Sequence, residues 1–131
     1  MATVLIVDDD ESLRALVRRY LTNAGYDVLV AEDAIVAGHL IVGGAPDLLV
    51  LDVNMPYMDG FEFAAALKAD TALPFIPIIF LTVREDGYDR AMELGAVGYI
   101  NKPVDAHALV SMVRQHLPEG KLTGRALFGD E

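Results

Sequence analysis

The chain of 131 residues contains no cysteine, which excludes both disulfide bridges and thiolate metal sites. It also lacks a long uninterrupted apolar stretch. The longest such stretch, residues 73–81, is interrupted by Pro74 and Pro77 and is too short to cross a bilayer. The first residues lack a basic segment and lead directly into a short apolar run. We therefore expect no signal peptide and no membrane insertion, and a cytoplasmic location.

Basic residues are scarce. The chain has twenty acidic residues but only ten lysines and arginines, which gives it a net charge of -10. Most of these charges fit a solvated surface, but the excess argues against direct nucleic-acid binding, which needs a basic face. Apolar residues make up 53% of the chain, enough for one domain with a single well-filled core.

Apolar runs alternate with helical repeats along the chain. Strands are predicted at residues 3–7, 27–31, 48–51, 76–81 and 97–101. Helices are predicted between Leu13 and Leu21, at residues 34–42, after Asp59-Gly60, at residues 85–94, and around Leu109 to Leu117. Such alternation predicts an α/β fold with right-handed crossovers, a doubly wound parallel sheet and helices on both faces.

Polar residues follow the predicted strands. Asp8 and Asp9 follow the first strand, Asp52 the third, Thr82 the fourth and Lys102 the fifth. In open parallel sheets the functional groups gather at the carboxyl ends of the strands. We therefore expect these five side chains to form one site.

Three carboxylates at one edge repel one another, by about 1 kcal/mol per pair in water and about 4 at a near-surface dielectric, for charges ~4 Å apart. Lys102 supplies one positive charge, and a divalent metal would supply the rest. Oxygen ligands without nearby histidine or cysteine favour Mg²⁺.

A carboxylate such as Asp52 can attack phosphorus to form an acyl phosphate. Lys102, the metal and the Thr82 hydroxyl would then neutralise the phosphoryl oxygens.

Several motifs, in order, resemble those of the receiver domains of two-component response regulators, the family that includes the chemotaxis response regulator. The resemblance covers residues 3–117, so we expect a receiver domain over residues 1–118 and a tail or linker over residues 119–131. The motifs are Val7-Asp8-Asp9, Leu51-Asp52-Val53-Asn54-Met55-Pro56, Met58-Asp59-Gly60-Phe61, Leu81-Thr82 and Gly98-Tyr99-Ile100-Asn101-Lys102-Pro103.

The resemblance implies a flavodoxin-like five-stranded sheet of order 2-1-3-4-5 and a role as phosphoacceptor in a phosphorelay. A sensor histidine kinase, a histidine phosphotransfer protein or a small phosphodonor would phosphorylate Asp52. The chain would then signal to a downstream effector protein or domain. It would not be a turnover enzyme, because it would catalyse only its own phosphorylation and slow dephosphorylation.

The resemblance also implies residue roles. Asp9 and Asp52 would ligate Mg²⁺ through their side chains and Asn54 through its backbone carbonyl, with Asp8 acting indirectly through water or by orienting the site. Thr82 would swing toward the acyl phosphate, and Tyr99 would turn inward behind it. This movement would couple the chemistry to the surface of the fourth helix, fifth strand and fifth helix.

The resemblance further suggests a cis Lys102–Pro103 peptide, which the small trans preference of X-Pro bonds allows. Val83 and Arg84 depart from the usual pattern, in which a small residue follows the threonine. We hypothesise that they shield the acyl phosphate from water. The alternative is that Arg84 points into solvent near Glu85 and Asp86.

Taken singly, each of these residues has an ordinary structural interpretation, such as a helix cap, turn, packing or surface residue. Three rival functions are possible: a phosphatase that also uses an Asp after a strand, a flavin carrier of the same architecture, and a degenerate receiver kept only as an interaction module. An aspartate-nucleophile phosphatase would need a second acid where this chain has Asn54. A flavin carrier would need a phosphate cradle where this chain has Asp8-Asp9-Asp10. A degenerate receiver would have lost an acid or the lysine. Output, cognate kinase and oligomeric state stay open.

Overall fold

The computed structural model describes residues 2–83 and 86–118. Its strands are β1 (Thr3–Val7), β2 (Asp27–Ala31), β3 (Leu48–Asp52), β4 (Ile78–Thr82) and β5 (Gly98–Asn101). Its helices are α1 (Glu11–Asn23), α2 (Ala34–Gly43), α3 (Gly60–Ala69), α4 (Tyr88–Glu93) and α5 (Ala106–His116). The strands pair in parallel in the order β2-β1-β3-β4-β5. The predicted fold class and strand order are confirmed.

The central strands are apolar throughout because both faces of the sheet are covered. Every residue of β3 and β4 is buried. Alternate residues of a strand point to opposite faces. Leu5 and Leu49 therefore pack with residues of α2, α3 and α4, whereas Ile6 and Val50 pack with residues of α1 and α5.

Aspartates begin four of the five helices in the described part of the chain. Each accepts a hydrogen bond from a backbone N–H in the first helical turn, and the four are Asp10, Asp33, Asp59 and Asp105. Asp59 also forms a capping box with Glu62. A side-chain cap satisfies an otherwise unpaired amide and stabilises a helix by about 1 kcal/mol. Asp10 therefore caps α1 through its side chain.

Several predicted boundaries differ from the structure, and two of these differences have a physical reason. β4 begins at Ile78 instead of residue 76, because Pro77 has no N–H with which to continue the ladder; its carbonyl still accepts from the Leu49 amide at 2.9 Å. α4 begins at Tyr88, after Gly87, which provides no side-chain cap. Within the described residues, no helix is both long and apolar enough to span a membrane.

The strand ends are held in line by the parallel register. Val7 pairs with Leu51, Asp52 with Leu81, and Thr82 with Asn101. Gly60, the first residue of α3, packs directly on the end of β3: its amide donates to the Val53 carbonyl at 2.7 Å. The start of α3 is therefore held directly against the end of β3, next to Asp52.

Gly60→Ala should destabilise the protein by about 1–3 kcal/mol, the usual range for overpacking. A Cβ at this position would overlap the Asp52 carbonyl oxygen and lie 2.9 Å from the Val53 Cα. Both are backbone atoms, so the helix must shift. Urea denaturation measures the change.

Gly38→Ala is the matched control. A Cβ at Gly38, inside α2, meets no atom within 4 Å, so the same substitution should stabilise the protein by about 1 kcal/mol through helix propensity. Equal effects of the two substitutions would contradict the packing described for Gly60.

Candidate functional site

Three carboxylates meet at the carboxyl edge of the sheet. Asp8 directly follows β1, Asp9 comes next, and Asp52 ends β3, the strand beside β1. Asp8 and Asp52 are buried, with 0% and 2% of their surface exposed, whereas Asp9 is exposed. Each of the three offers an oxygen, and these oxygens lie within 4.8 Å of one another. The predicted convergence of the three acids is present.

Lys102 joins the two buried carboxylates. Its Nζ lies 3.0 Å from Asp8 Oδ2 and 3.2 Å from Asp52 Oδ1. The residue directly follows β5, and its amide donates to the Thr82 carbonyl at 2.9 Å. The Lys102–Pro103 peptide is cis, as predicted. One ammonium against three carboxylates leaves a formal excess of two negative charges.

The other predicted site residues lie around this group. Thr82 ends β4 and is fully buried. The Asn54 amide donates to Asp52 Oδ1 at 3.3 Å. Tyr99 lies in β5 with its ring edge-on to the Tyr88 ring, at 5.7 Å between centroids. Val83 is 65% exposed. Arg84 and residues 119–131, on which further predictions rest, lie outside the described residues.

Sequence reasoning missed a residue that contacts the acidic segment. Arg14, in α1, donates through Nη1 to the Asp8 backbone carbonyl at 2.8 Å. No motif marks it, since its partner is a main-chain atom. The three histidines lie in α2 and α5, and the acidic group that could hold an ion contains none of them.

Burial and crowding change the ionisation of Asp52. Burial raises the pKa of its carboxyl from 3.8 to about 6, and the charge of Asp8 adds to the rise, although Lys102 and the Asn54 amide oppose it. Burial alone would lower the pKa of Lys102, but its contacts with Asp8 and Asp52 outweigh this and raise it. The ammonium therefore stays charged near neutral pH, while ionised Asp52 is under electrostatic strain.

The donor set suits a hard divalent cation. It consists of carboxylate oxygens, the ligands that Mg²⁺ and Ca²⁺ prefer. Two oxygens that each lie about 2.1 Å from Mg²⁺ are at most about 4.2 Å apart, so carboxylate oxygens within 4.8 Å of one another need only a small adjustment to bind one ion. A divalent ion would also balance the two excess negative charges. The residues therefore fit the predicted metal site.

Asp52→Asn should stabilise the metal-free protein at pH 7. Between about pH 4 and 6 folded Asp52 retains a proton that the unfolded chain has released, so the unfolding free energy of the wild type falls as pH rises through this window. The unfolding free energy of Asp52→Asn does not decrease in this window. Above pH 6 it should therefore exceed that of the wild type by up to about 3 kcal/mol.

Urea denaturation in EDTA across pH 4–8 measures that difference. Asp27→Asn is the control, because Asp27 is exposed at the start of β2, at the opposite edge of the sheet. A wild type as stable as Asp52→Asn at pH 7 would show that the carboxylate is not strained.

Comparison with known proteins shows which family the sequence resembles. Residues 4–114 match the response regulator receiver domain family. The chain is 40% identical over 114 residues to the phosphate regulon transcriptional regulatory protein PhoB of Pseudomonas aeruginosa, covering 86% of this chain and 50% of that protein. It is 37% identical over 121 residues to the response regulator MprA of Mycobacterium ulcerans, covering 91% and 51%. The chain thus spans about half the length of these curated relatives.

Solved structures show the same fold. The chemotaxis protein CheY4 of Vibrio cholerae superimposes with a TM-score of 0.81 at 35% identity, covering 88% of this chain and 98% of that one. The match of family, fold and strand-end residues leads to one conclusion. The chain belongs to the response regulator receiver domain family of two-component systems.

Proposed function

We propose that this chain is a phosphoacceptor and that the Asp52 carboxylate takes the phosphoryl group. The observation that carries the proposal is the placement of Asp52: it ends a central strand, is buried, and lies 3.2 Å from the Lys102 ammonium beside two further acids. A sensor histidine kinase, a histidine phosphotransfer protein or a small phosphodonor would supply the phosphoryl group.

The hydrogen bonds at Asp52 favour one oxygen as the nucleophile. Oδ1 contacts both the Lys102 ammonium and the Asn54 amide, whereas Oδ2 accepts no hydrogen bond from residues 2–83 or 86–118. Oδ2 is therefore free to form the bond to phosphorus while the bond from phosphorus to the donor breaks. Because the pKa is about 6, most of the carboxylate is ionised at pH 7 and can attack.

The acidic residues would hold Mg²⁺. Asp9 and Asp52 would bind it through their carboxylates and Asn54 through its backbone carbonyl, with Asp8 acting indirectly. Bound Mg²⁺ neutralises phosphoryl charge and aligns the group for in-line transfer. Lys102 stays protonated beside Asp8 and Asp52, so it would hold a phosphoryl oxygen by a charge-assisted hydrogen bond.

Thr82 and Tyr99 would carry the signal. Thr82 ends the strand next to Asp52, so its hydroxyl would contact a phosphoryl oxygen. Tyr99 contacts Tyr88 at the start of α4, so its movement would reach the surface formed by α4, β5 and α5. The output would be a protein contact with an effector protein or domain, without direct nucleic-acid binding by this domain.

Incubation with acetyl phosphate and Mg²⁺ should add one phosphoryl group that hydroxylamine removes, as expected for an acyl phosphate. Asp52→Asn should abolish labelling because it removes the nucleophile. Asp27→Asn, which changes an exposed acid at the far edge of the sheet, should label like the wild type. Intact-protein mass spectrometry gives the result, and labelling of Asp52→Asn at the wild-type level would refute the proposal.

The same labelled samples test the shielding hypothesis for Val83. After donor removal, Val83→Ala should lose its phosphoryl group faster than the wild type if the side chain obstructs the approach of water. Val42→Ala, at an exposed valine in α2, is the control. Identical decay in all three proteins would show that Val83 does not protect the site.

A further inference from the structure

One arginine is bound to the main chain of the acidic segment. Arg14 is partly buried in α1, and its guanidinium donates to the Asp8 carbonyl at 2.8 Å. That carbonyl belongs to the peptide linking Asp8 to Asp9. Arg14 therefore fixes the orientation of the peptide that carries Asp9, the one exposed carboxylate of the three.

The other hydrogen bonds described for this segment, within residues 2–83 and 86–118, hold the flanks of this peptide. The Asp8 amide donates to the Ala31 carbonyl at 3.1 Å, which continues the β1–β2 ladder. The Asp10 amide donates to Asp8 Oδ1 at 2.8 Å, and Asp10 in turn caps α1. The Arg14 bond acts on the Asp8 carbonyl itself, between these two anchors, and ties it to a helix that packs on the sheet.

The positive charge of Arg14 and its hydrogen bond have opposite effects on cation binding. Within the described residues, its guanidinium forms no ion pair with a carboxylate, although it contacts the main chain of Asp8, one of the three acids. A positive charge beside a cation site repels the cation. By charge alone, Arg14 would therefore weaken Mg²⁺ binding, whereas its hydrogen bond would strengthen binding by orienting a ligand.

We propose that Arg14 is a positioning residue for the cation site: by holding the Asp8–Asp9 peptide, it keeps the Asp9 carboxylate facing Asp52. The inference rests on the proposed function, since it assumes that the three acids bind Mg²⁺. Groups that orient metal ligands typically contribute ten-fold or more to metal affinity. In this site, the Mg²⁺ affinity gained by orienting the Asp9 carboxylate exceeds the affinity lost by repulsion between Arg14 and the cation.

The two effects of Arg14 have opposite signs, so the direction in which one substitution changes the Mg²⁺ affinity shows which effect dominates. Arg14→Met removes both the donor and the charge, and the dissociation constant for Mg²⁺, measured by isothermal titration calorimetry, should rise about ten-fold. Arg14→Lys retains the charge and a donor and should recover part of the affinity. Arg18→Met removes an exposed charge one turn further along α1 and should leave the affinity unchanged or slightly tighter.

A second measurement reports the orientation directly. In metal-free protein, hydrogen exchange at the amides of Asp9 and Asp10 should be faster in Arg14→Met than in Arg18→Met, because the peptide has lost its anchor. If Arg14→Met does not fold, Arg14→Lys carries the same comparison, with weaker Mg²⁺ binding and faster exchange than the wild type.

Mg²⁺ binding by Arg14→Met at or above the wild-type affinity would overturn the inference, since it would show that charge repulsion dominates. That outcome differs from failure of the proposed function. In the latter case the wild type itself would bind no Mg²⁺, and the wild-type titration reveals this before any variant is compared.

Discussion

The Lys102 ammonium lies between two buried carboxylates, 3.0 Å from Asp8 and 3.2 Å from Asp52. Without this contact the fold would bury two like charges with no counter-charge, which is strongly unfavourable. One ammonium does not balance three acids, however, and the pKa of Asp52 is raised by burial and, to a smaller extent, by the charge of Asp8. A divalent cation would supply the positive charge that this edge lacks.

The rest of the fold keeps these groups at fixed positions. Parallel pairing places the ends of β1, β3, β4 and β5 at one edge of the sheet. The close contact of Gly60 with the end of β3 and the Arg14 bond to the Asp8 carbonyl hold the main chain on either side of the carboxylates. Under the proposed function, stability and phosphoryl transfer conflict at this edge, because the charges that suit the transfer destabilise the folded state that lacks a cation.

The sequence predicted the residues whose position follows from strand ends. Asp8, Asp52 and Lys102 were found because parallel strands gather their carboxyl ends, and the strand order came from family resemblance. Arg14 was not recognised as part of the site, and Gly60 was named only within a motif and a turn, since both contact backbone carbonyls and such contacts leave no side-chain pattern. The start of α4 was misplaced because Gly87 provides no side-chain cap to mark it.

Thermal unfolding with increasing Mg²⁺, at constant ionic strength, tests the central claim most directly. If the carboxylates need a cation, Mg²⁺ at ~100 times its dissociation constant should stabilise the wild type by about 2.7 kcal/mol. Asp9→Ala should lose most of this gain, and Asp27→Ala, at the far edge of the sheet, should retain it. A wild-type melting temperature that does not change with Mg²⁺ would contradict the account.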